Sequence, residues 1–223
     1  MTYPLRWLRN AIIPGAEKPR PNTKPAADQL PAQEEALIES QHREKQRLDN
    51  SAKAALAKFL AGSERLQFEK PEAPLLSIVL VFYQQAHLSF LCLQSLLEYA
   101  DVSYELIIVD NNSTDATTDL LDAIDGASVI LNTENLGFVK AVNQAANAAT
   151  GDYILLLNND ALIERDSLTN ALAVIDGDDS VGADGAKIKL LDGSTQEAGS
   201  IIWKDGACLG YGRRKANQRY EYM

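Results

Sequence analysis

The feature that most constrains this chain is an alternation of apolar strand and helix patterns that begins at residue 75. The strand patterns are nearly continuous apolar runs: "LLSIVLVFY" (75–83), "YELIIVD" (104–110), "ASVIL" (127–131) and "DYILLL" (152–157). Runs this uniformly apolar are typical of strands covered on both faces, as in parallel sheets. The intervening helical patterns lie at 87–99, 114–124, 138–149 and 166–175. We therefore predict an α/β fold with a doubly wound, mostly parallel sheet.

Two further regions flank this alternation. Residues 14–31 contain five of the eight prolines and predict an extended linker. Residues 32–60 predict an amphipathic helix, either continuous or broken at Asp49-Asn50-Ser51. Beyond the last helix, "AKIKLLDGSTQEAGSIIW" (186–203) predicts two strands joined near residues 192–193. We expect an N-terminal arm and linker (1–31), a helical segment (32–70) and one globular domain (71–223).

Charge and cysteine content exclude several classes of protein. The formal net charge of −10 argues against a general nucleic-acid binder, which needs a basic surface. Two cysteines are too few for a disulfide framework and fit free thiols in a reducing compartment. The first fifteen residues place Arg6 and Arg9 among apolar residues, which does not fit a signal peptide. Both an interfacial helix on a membrane and an arm packed on protein fit that pattern.

The carboxyl ends of three predicted strands carry Val81-Phe82-Tyr83, "DNNS" at 110–113 and "NND" at 158–160. The last two are clusters of carboxylates and amides. Doubly wound sheets bind ligands at the carboxyl ends of their strands. The glycine patterns of dinucleotide and P-loop sites are absent, as is the G-x-S-x-G turn of serine hydrolases. Both histidines, His42 and His87, lie outside these strand ends.

A metal-assisted nucleotide-diphosphate site fits the remaining residues. Magnesium is commonly held by one or two carboxylates together with substrate phosphates, and Asp160 can be that carboxylate. Asn158 and Asn159 offer neutral amides to a ribose or phosphate. The neighbouring strand end adds Asp110, Asn111 and Asn112, and the turn "ENLGFVKAVNQ" adds Gly137, Lys140 and Asn143.

Simpler interpretations stand beside each of these assignments. Asp160 could be only a turn residue, and Asp110–Ser113 only a helix N-cap cluster, with Ser113 or Thr114 as the cap. Tyr83 could be a core aromatic residue, and Lys140 and Glu197 could be solvated. None of these residues alone decides between a turn and a ligand site.

In order and spacing, four motifs resemble those of family 2 glycosyltransferases with the GT-A fold, across about residues 75–215. They are "SIVLVFYQQAHL", "YELIIVDNNSTD", "ENLGFVKAVNQAANAATGDYILLLNND" and "GSTQEAGSIIW". The resemblance is closest to bacterial rhamnosyltransferase-like members, which act in polysaccharide assembly. It implies transfer of a sugar from a UDP- or dTDP-type donor to a saccharide or other acceptor, with inversion. It also implies a cytoplasmic protein, with contact to the inner membrane as an alternative.

The resemblance assigns roles to individual residues. Its nucleotide-contacting positions fall on Val81, Phe82, Tyr83, Asp110 and Asn111, on Asn135, Gly137 and Phe138 in the glycine turn, and on Ala141 and Asn143 in the following helix. Its D-x-D metal motif falls on Asn158-Asn159-Asp160, with asparagine replacing the first acid. Asp160 is then the expected ligand of Mg²⁺ or Mn²⁺.

The resemblance also predicts what this sequence lacks. Family members carry the catalytic base and much of the acceptor pocket downstream of the metal motif, and no residue here matches that base. We expect a donor-binding half whose acceptor half is missing or is supplied by a partner chain. The alternative is a non-catalytic remnant that binds nucleotide sugar. Glu197 and Asp205 are the acids to test if the chain alone is active.

Overall fold

The computed structural model describes the backbone of residues 32–190, 194–202 and 208–210, and side chains within 43–190 and 194–199. The chain divides into two compact units, of which one comprises residues 28–166 and the other includes the described residues from Ser167 onward. The domain boundaries drawn from the sequence remain a prediction. The N-terminal arm lies outside the described residues, so both interpretations of it also remain predictions. Among the described residues, no helix combines the length and apolarity needed to cross a bilayer.

The elements follow the predicted alternation. In the first unit they are α1 (Ala32–Leu60), β1 (Leu66–Gln67), β2 (Leu76–Phe82), α2 (Ala86–Tyr99), β3 (Tyr104–Asp110), α3 (Thr117–Asp122), β4 (Ile124–Asp125), β5 (Ser128–Leu131), α4 (Phe138–Ala148) and β6 (Tyr153–Asn158). In the second they are α5 (Ser167–Gly177), β7 (Ile188–Lys189), β8 (Thr195–Glu197), β9 (Ser200–Ile202) and β10 (Cys208–Gly210). Strands β5, β3, β2 and β6 form one parallel sheet in that order.

The two central strands explain the uniformly apolar runs. On one face, Val79, Ile107 and Val109 pack against Ala141 and Ala145 of α4. The alternate residues of β2 and β3 point to the opposite face and are also buried. Because both faces are covered, neither strand carries the polar alternation of a solvated sheet.

Strand β6 departs from that prediction. Its residues alternate between half-buried and exposed, and Ile154 and Leu156 are 45% and 52% exposed. The register places both on the α4 face of the sheet, beside Ser77 and Val79 of β2. Helix α4 packs on β2 and β3, so this face of the edge strand is left open. The prediction of a strand covered on both faces is wrong here.

Helix α1 is continuous, so the alternative of a break at residues 49–51 is wrong. The Asp49 carboxylate forms an ion pair with Lys53 one turn later, and its Oδ1 lies 2.7 Å from His87 Nε2 of α2. The next turns bury Ala52 and Leu56, and Phe59 stacks at 4.8 Å on Phe90. Helix α1 therefore packs directly on α2, and this contact outweighs the weak helix propensity of Asp, Asn and Ser.

Residues 61–70 add an element that the sequence did not predict. Strand β1 pairs with β4 in parallel, with Leu66 and Phe68 buried on either side of Gln67. The Arg65 guanidinium holds the Asp125 carboxylate through two nitrogens, at 2.5 and 2.8 Å. Two-residue strands leave too short a pattern to detect in a sequence.

In the second unit, β7 pairs with β8, and β9 with β10, each in an antiparallel arrangement. Three short strands, β7, β8 and β9, lie within residues 186–203, where two strands are predicted, and β10 follows them. The predicted joint at residues 192–193 lies outside the described residues. Glu197 is the last residue of β8. Asp205, like residues 192–193, lies outside the described part of the chain.

A carboxylate organises the amino ends of the central strands. Glu105 Oε1 accepts hydrogen bonds from Ser77 Oγ and from the Thr150 backbone N–H, both at 2.6 Å. Ser77 Oγ in turn accepts the Gly151 N–H at 2.9 Å. Burial opposes ionisation of Glu105, but these donors lower its pKa below the ordinary value. This network joins β2, β3 and the start of β6 at the edge opposite the predicted site.

Candidate functional site

The carboxyl ends of three adjacent strands lie level at one edge of the sheet. The register pairs Val81 of β2 with Asn158 of β6, and Phe82 with Asp110 of β3. Of the predicted site residues, the exposed ones are Tyr83, Asn112, Asn135, Gly137, Phe138, Lys140, Asn143, Asn158 and Asp160. Tyr83 is 49% exposed, which excludes the alternative of a core aromatic residue. The parallel topology thus gathers the motifs of three loops at one edge.

Phe82 and Ala141 differ from the predicted role in one respect. Both side chains are fully buried, and Ala141 packs on the sheet as part of the core. Neither side chain is available to a ligand, so only backbone atoms of these two residues could contribute. Val81 is half-buried.

The Asp110 carboxylate is engaged within its own loop. It accepts the Ser113 N–H at 3.1 Å and the Ser113 hydroxyl at 2.5 Å, and Asp110 is 6% exposed. Helix α3 begins only at Thr117, so neither Ser113 nor Thr114 caps it, and that prediction is wrong. Asp115 instead accepts the Thr117 N–H at 3.1 Å. Asp110 therefore shapes the β3–α3 loop.

Asn111 is the centre of a network of side-chain amides. It is 2% exposed, and its Oδ1 accepts Asn132 Nδ2 at 2.9 Å. Its Nδ2 donates to the Gly137 carbonyl at 3.4 Å. Asn132 and Gln144 complete the network with two reciprocal amide bonds of 2.8 and 2.9 Å. Asn111 therefore has a structural role, because both ends of its amide bind protein, and its predicted nucleotide contact stays a prediction.

The network holds a glycine turn in an unusual conformation. Gly137 has φ 78° and ψ 164°, a region that is essentially restricted to glycine. Asn135 Oδ1 accepts the Gly137 N–H at 2.8 Å and closes the turn. A Cβ atom added at Gly137 would meet nothing within 4 Å. The turn therefore presents open backbone at the start of α4, as the sequence predicts for close approach of a ligand.

The loop after β2 is tied to the loop after β3. Gln84 and Gln85 have φ of 60° and 58°, a left-handed conformation that non-glycine residues rarely adopt. The Gln84 N–H donates to Ser113 Oγ at 2.9 Å, and the Ala86 N–H to Asp115 Oδ2 at 2.8 Å. Burial opposes ionisation of Asp115, but the Ala86 and Thr117 donors lower its pKa. These bonds set the direction in which the chain leaves Tyr83.

The turn after β6 lies against helix α2. The Ala161 N–H donates to the Asn158 carbonyl at 3.1 Å, and the Cys92 thiol lies 3.7 Å from that carbonyl. Burial, with a smaller contribution from the charge of Asp160, raises the pKa of Cys92 to about 12, so the thiol stays protonated. Cys92 is fully buried, which confirms that it is a core residue.

The same turn bears on the predicted metal ligand. Within the described residues, no three His, Cys, Asp or Glu side chains form a preformed metal cluster. Asp160 itself is exposed at the strand end. One accessible carboxylate fits a magnesium or manganese site in which phosphates and waters supply the other ligands. Asn159 is half-buried, and its amide donates to Ser89 Oγ at 2.9 Å.

Several residues that shape the site escaped the sequence analysis: Gln84, Ser89, Ser95, Asp115, Asn132 and Gln144. A signal was present for two of them, because Ser89 and Ser95 lie at spacings of three about Cys92 in a mostly apolar helix. The amide pairing of Asn132 with Gln144 spans a turn and half of a helix. No local pattern marks such a pair.

Comparison with known proteins gives a family match and several relatives. The family model described as Glycosyl transferase family 2 matches residues 77–220, more than half of the chain. A PGL/p-HBAD biosynthesis glycosyltransferase of Mycobacterium bovis is 32% identical over 108 residues, which are 46% of this chain and 42% of that protein. The putative glycosyltransferase EpsH of Bacillus subtilis is 30% identical over 98 residues, which are 43% of this chain and 28% of EpsH.

A longer match and a structural match extend the comparison. O-antigen biosynthesis protein RfbC of Myxococcus xanthus is 30% identical over 146 residues, which are 64% of this chain and 12% of RfbC. A mannosyltransferase of Pyrobaculum calidifontis, solved with GDP-Man and Mn²⁺, shares 25% identity with a TM-score of 0.41. That match covers 57% of this chain and 41% of the mannosyltransferase.

The chain spans less than half the length of the curated relatives named above. The family match includes all four strands of the parallel sheet and every predicted site residue. Together with this match, the parallel sheet and flanking helices of the chain confirm the predicted α/β fold of the GT-A type. The chain belongs to glycosyl transferase family 2.

Proposed function

We propose that this chain binds a nucleotide-diphosphate sugar at the carboxyl ends of β2, β3 and β6, as the donor site of a glycosyltransferase. One observation carries the proposal: Asn158 and Asp160 at the end of β6 and Asn112 after β3 are exposed at the carboxyl ends of the sheet, and the Gly137 turn presents open backbone. Family membership supplies the reaction class. The acceptor is a saccharide or other component of a cell-surface polysaccharide or glycolipid.

Each exposed group has a part in this proposal. Asp160 would hold Mg²⁺ or Mn²⁺, which neutralises charge on the diphosphate leaving group. The amides of Asn158 and Asn112 would bind ribose or phosphate oxygens without adding negative charge. Lys140 would lie near the phosphates, and Tyr83 near the base. The buried networks around Asp110 and Asn111 keep these loops in place.

The finer points of the proposal concern donor, stereochemistry and partners. The donor is of the UDP or dTDP type, the sugar is one used by rhamnosyltransferase-like members, and transfer inverts the anomeric centre. Inversion requires a general base within hydrogen-bond reach of the acceptor hydroxyl. Asp160 is unsuited to that role, because a metal-bound carboxylate on the leaving-group side is a poor base. A partner chain that supplies the acceptor half belongs to the same proposal, as does a cytoplasmic location at the membrane surface.

Calorimetric titration of the full chain with UDP-glucose and with dTDP-rhamnose tests the donor site. In the presence of Mn²⁺ we expect saturable binding of at least one donor. In EDTA we expect that affinity to fall at least about tenfold, because outer-shell changes alone cost that much at metal sites. Saturable binding that EDTA leaves unchanged would remove the metal from the proposal. No binding of either donor would contradict the donor site itself.

A further inference from the structure

Helix α2 presents three small polar side chains on one face. Ser89, Cys92 and Ser95 follow each other at spacings of three and are 0%, 0% and 7% exposed. Residues three apart are neighbours on a helix surface. We refer to these three residues as the α2 polar row. An apolar helix that packs on a sheet has no need of such a row for burial, since leucine or alanine would serve there.

The α2 polar row holds the turn after β6 at three successive points. Asn159 Nδ2 donates to Ser89 Oγ at 2.9 Å, and Cys92 Sγ lies 3.7 Å from the Asn158 carbonyl. The Ile163 N–H donates to Ser95 Oγ at 3.2 Å. In the sequence, Asp160 follows Asn158 and Asn159 and precedes Ile163. The turn is therefore fixed immediately before and shortly after the exposed carboxylate.

We propose that Ser89 is a positioning residue for Asp160, and that Asn159 acts by binding Ser89 rather than by contacting the nucleotide. This inference rests on the proposed role of Asp160 as the metal ligand. The Ser89 contact orients the residue adjacent to Asp160, and so limits the directions in which the carboxylate can point. A metal held by a single protein carboxylate depends strongly on that orientation, because no second protein ligand corrects it.

The inference separates Asn159 from the residues proposed to bind the donor. The sequence motif places Asn158, Asn159 and Asp160 together at the ligand. In the structure their exposure alternates: Asn158 and Asp160 are exposed, whereas Asn159 is half-buried and directed to α2. Removing the Asn159 amide should therefore have the same effect as removing the Ser89 hydroxyl, and removing both should add little.

The test measures Mn²⁺ affinity in the presence of UDP, by the electron paramagnetic resonance signal of free Mn²⁺. Ser89→Ala and Asn159→Ala should each weaken Mn²⁺ binding about tenfold, the lower range for an outer-shell partner. The Mn²⁺ affinity of the double variant should lie within about twofold of that of either single variant, because the two residues act through one contact. UDP affinity in EDTA should stay as in the unmodified chain.

Ser95→Ala is the matched control. It removes the same hydroxyl from the same helix but frees a backbone N–H three residues beyond Asp160. Its melting temperature should fall at least as much as that of Ser89→Ala, whereas its Mn²⁺ affinity should fall less, because Ser95 holds Ile163, three residues from Asp160, and Ser89 holds the adjacent Asn159. A loss of Mn²⁺ affinity that followed melting temperature in all variants would assign Ser89 a merely structural role and overturn the inference.

Asp160→Ala serves as the reference for the proposed function. If Asp160→Ala weakens Mn²⁺ binding and Ser89→Ala does not, the positioning role fails while the metal site stands. If Asp160→Ala has no effect, the metal site and the inference fail together. If Asn159→Ala lowers UDP affinity in EDTA and Ser89→Ala does not, Asn159 contacts the nucleotide and the inference is wrong.

Discussion

Replacing Asp160 with alanine is expected to weaken Mn²⁺-dependent binding of a nucleotide sugar by more than about tenfold, since losing a ligand should cost more than losing its outer-shell partner. Asp160 is the only carboxylate of the "NND" motif and is exposed at the end of β6. Its loss removes the sole protein charge that the turn offers to a cation. Calorimetric titration in Mn²⁺ measures the effect. Binding in EDTA should be unchanged, because that binding does not involve the metal.

Asp152→Ala is the matched control for this prediction. Asp152 is also exposed, and it lies immediately before β6 at the opposite end of the same strand. Both variants lower the net negative charge by one, so a general electrostatic effect would change Mn²⁺-dependent binding equally in both. We expect Mn²⁺-dependent binding to be retained in Asp152→Ala. Equal losses in the two variants would show that Asp160 has no specific role.

Replacing Gly126 with alanine is expected to destabilise the first unit by about 3 kcal/mol or more, because backbone strain and overpacking each cost about 1–3 kcal/mol. Gly126 follows β4 with φ +83°, where a side chain is strained. An added Cβ would also approach the Phe68 carbonyl oxygen within 1.9 Å and its carbon within 2.7 Å. Both atoms are backbone, so β1 would have to move away from β4. The midpoint of urea unfolding, followed by far-ultraviolet circular dichroism, measures the loss.

Substitutions at two other glycines distinguish the contribution of backbone strain from that of the close approach to Phe68. Gly137→Ala carries a similar positive φ but meets nothing within 4 Å, so it should show the strain alone. Gly177→Ala, at the end of α5, has neither strain nor contact and should be neutral or slightly stabilising. Gly126→Ala should therefore be the most destabilising of the three. A Gly126→Ala variant as stable as Gly177→Ala would contradict the close approach of β1 to β4.

The parallel sheet could be predicted because its signal is local and strong. Both faces of β2 and β3 are largely buried, so residues 78–82 and 106–109 are unbroken apolar runs, and polar residues follow each run closely. The same reasoning fails at β6, where the apolar run is equally strong but one face is about half exposed. Whether a neighbouring element covers a strand is a tertiary property, which the residues of the strand do not record.

The candidate site could be located from the sequence, but the division of labour within it could not. Tyr83 and Asp160 are exposed as predicted, whereas Asn111 is buried with both amide atoms bound to protein. Asparagine serves equally as a ligand group and as a structural cross-link, so its presence in a motif does not decide between them. The partners that decide it, Ser89 for Asn159 and Asn132 for Asn111, lie 70 and 21 residues away.

The most direct test of the central claim is to map where Mn²⁺ and UDP bind together on the isotope-labelled chain. Paramagnetic broadening in two-dimensional amide spectra reports which residues lie near the metal. We predict that Mn²⁺ with UDP broadens the amides of Asn158–Ala161 most strongly, and that UDP without Mn²⁺ shifts those of Tyr83 and Gly137. The amides of Thr150 and Gly151, at the opposite edge of the sheet, should remain sharp. Broadening centred on Thr150 and Gly151, or none at Asn158–Ala161 while UDP binds, would contradict a donor site at the carboxyl ends of the strands.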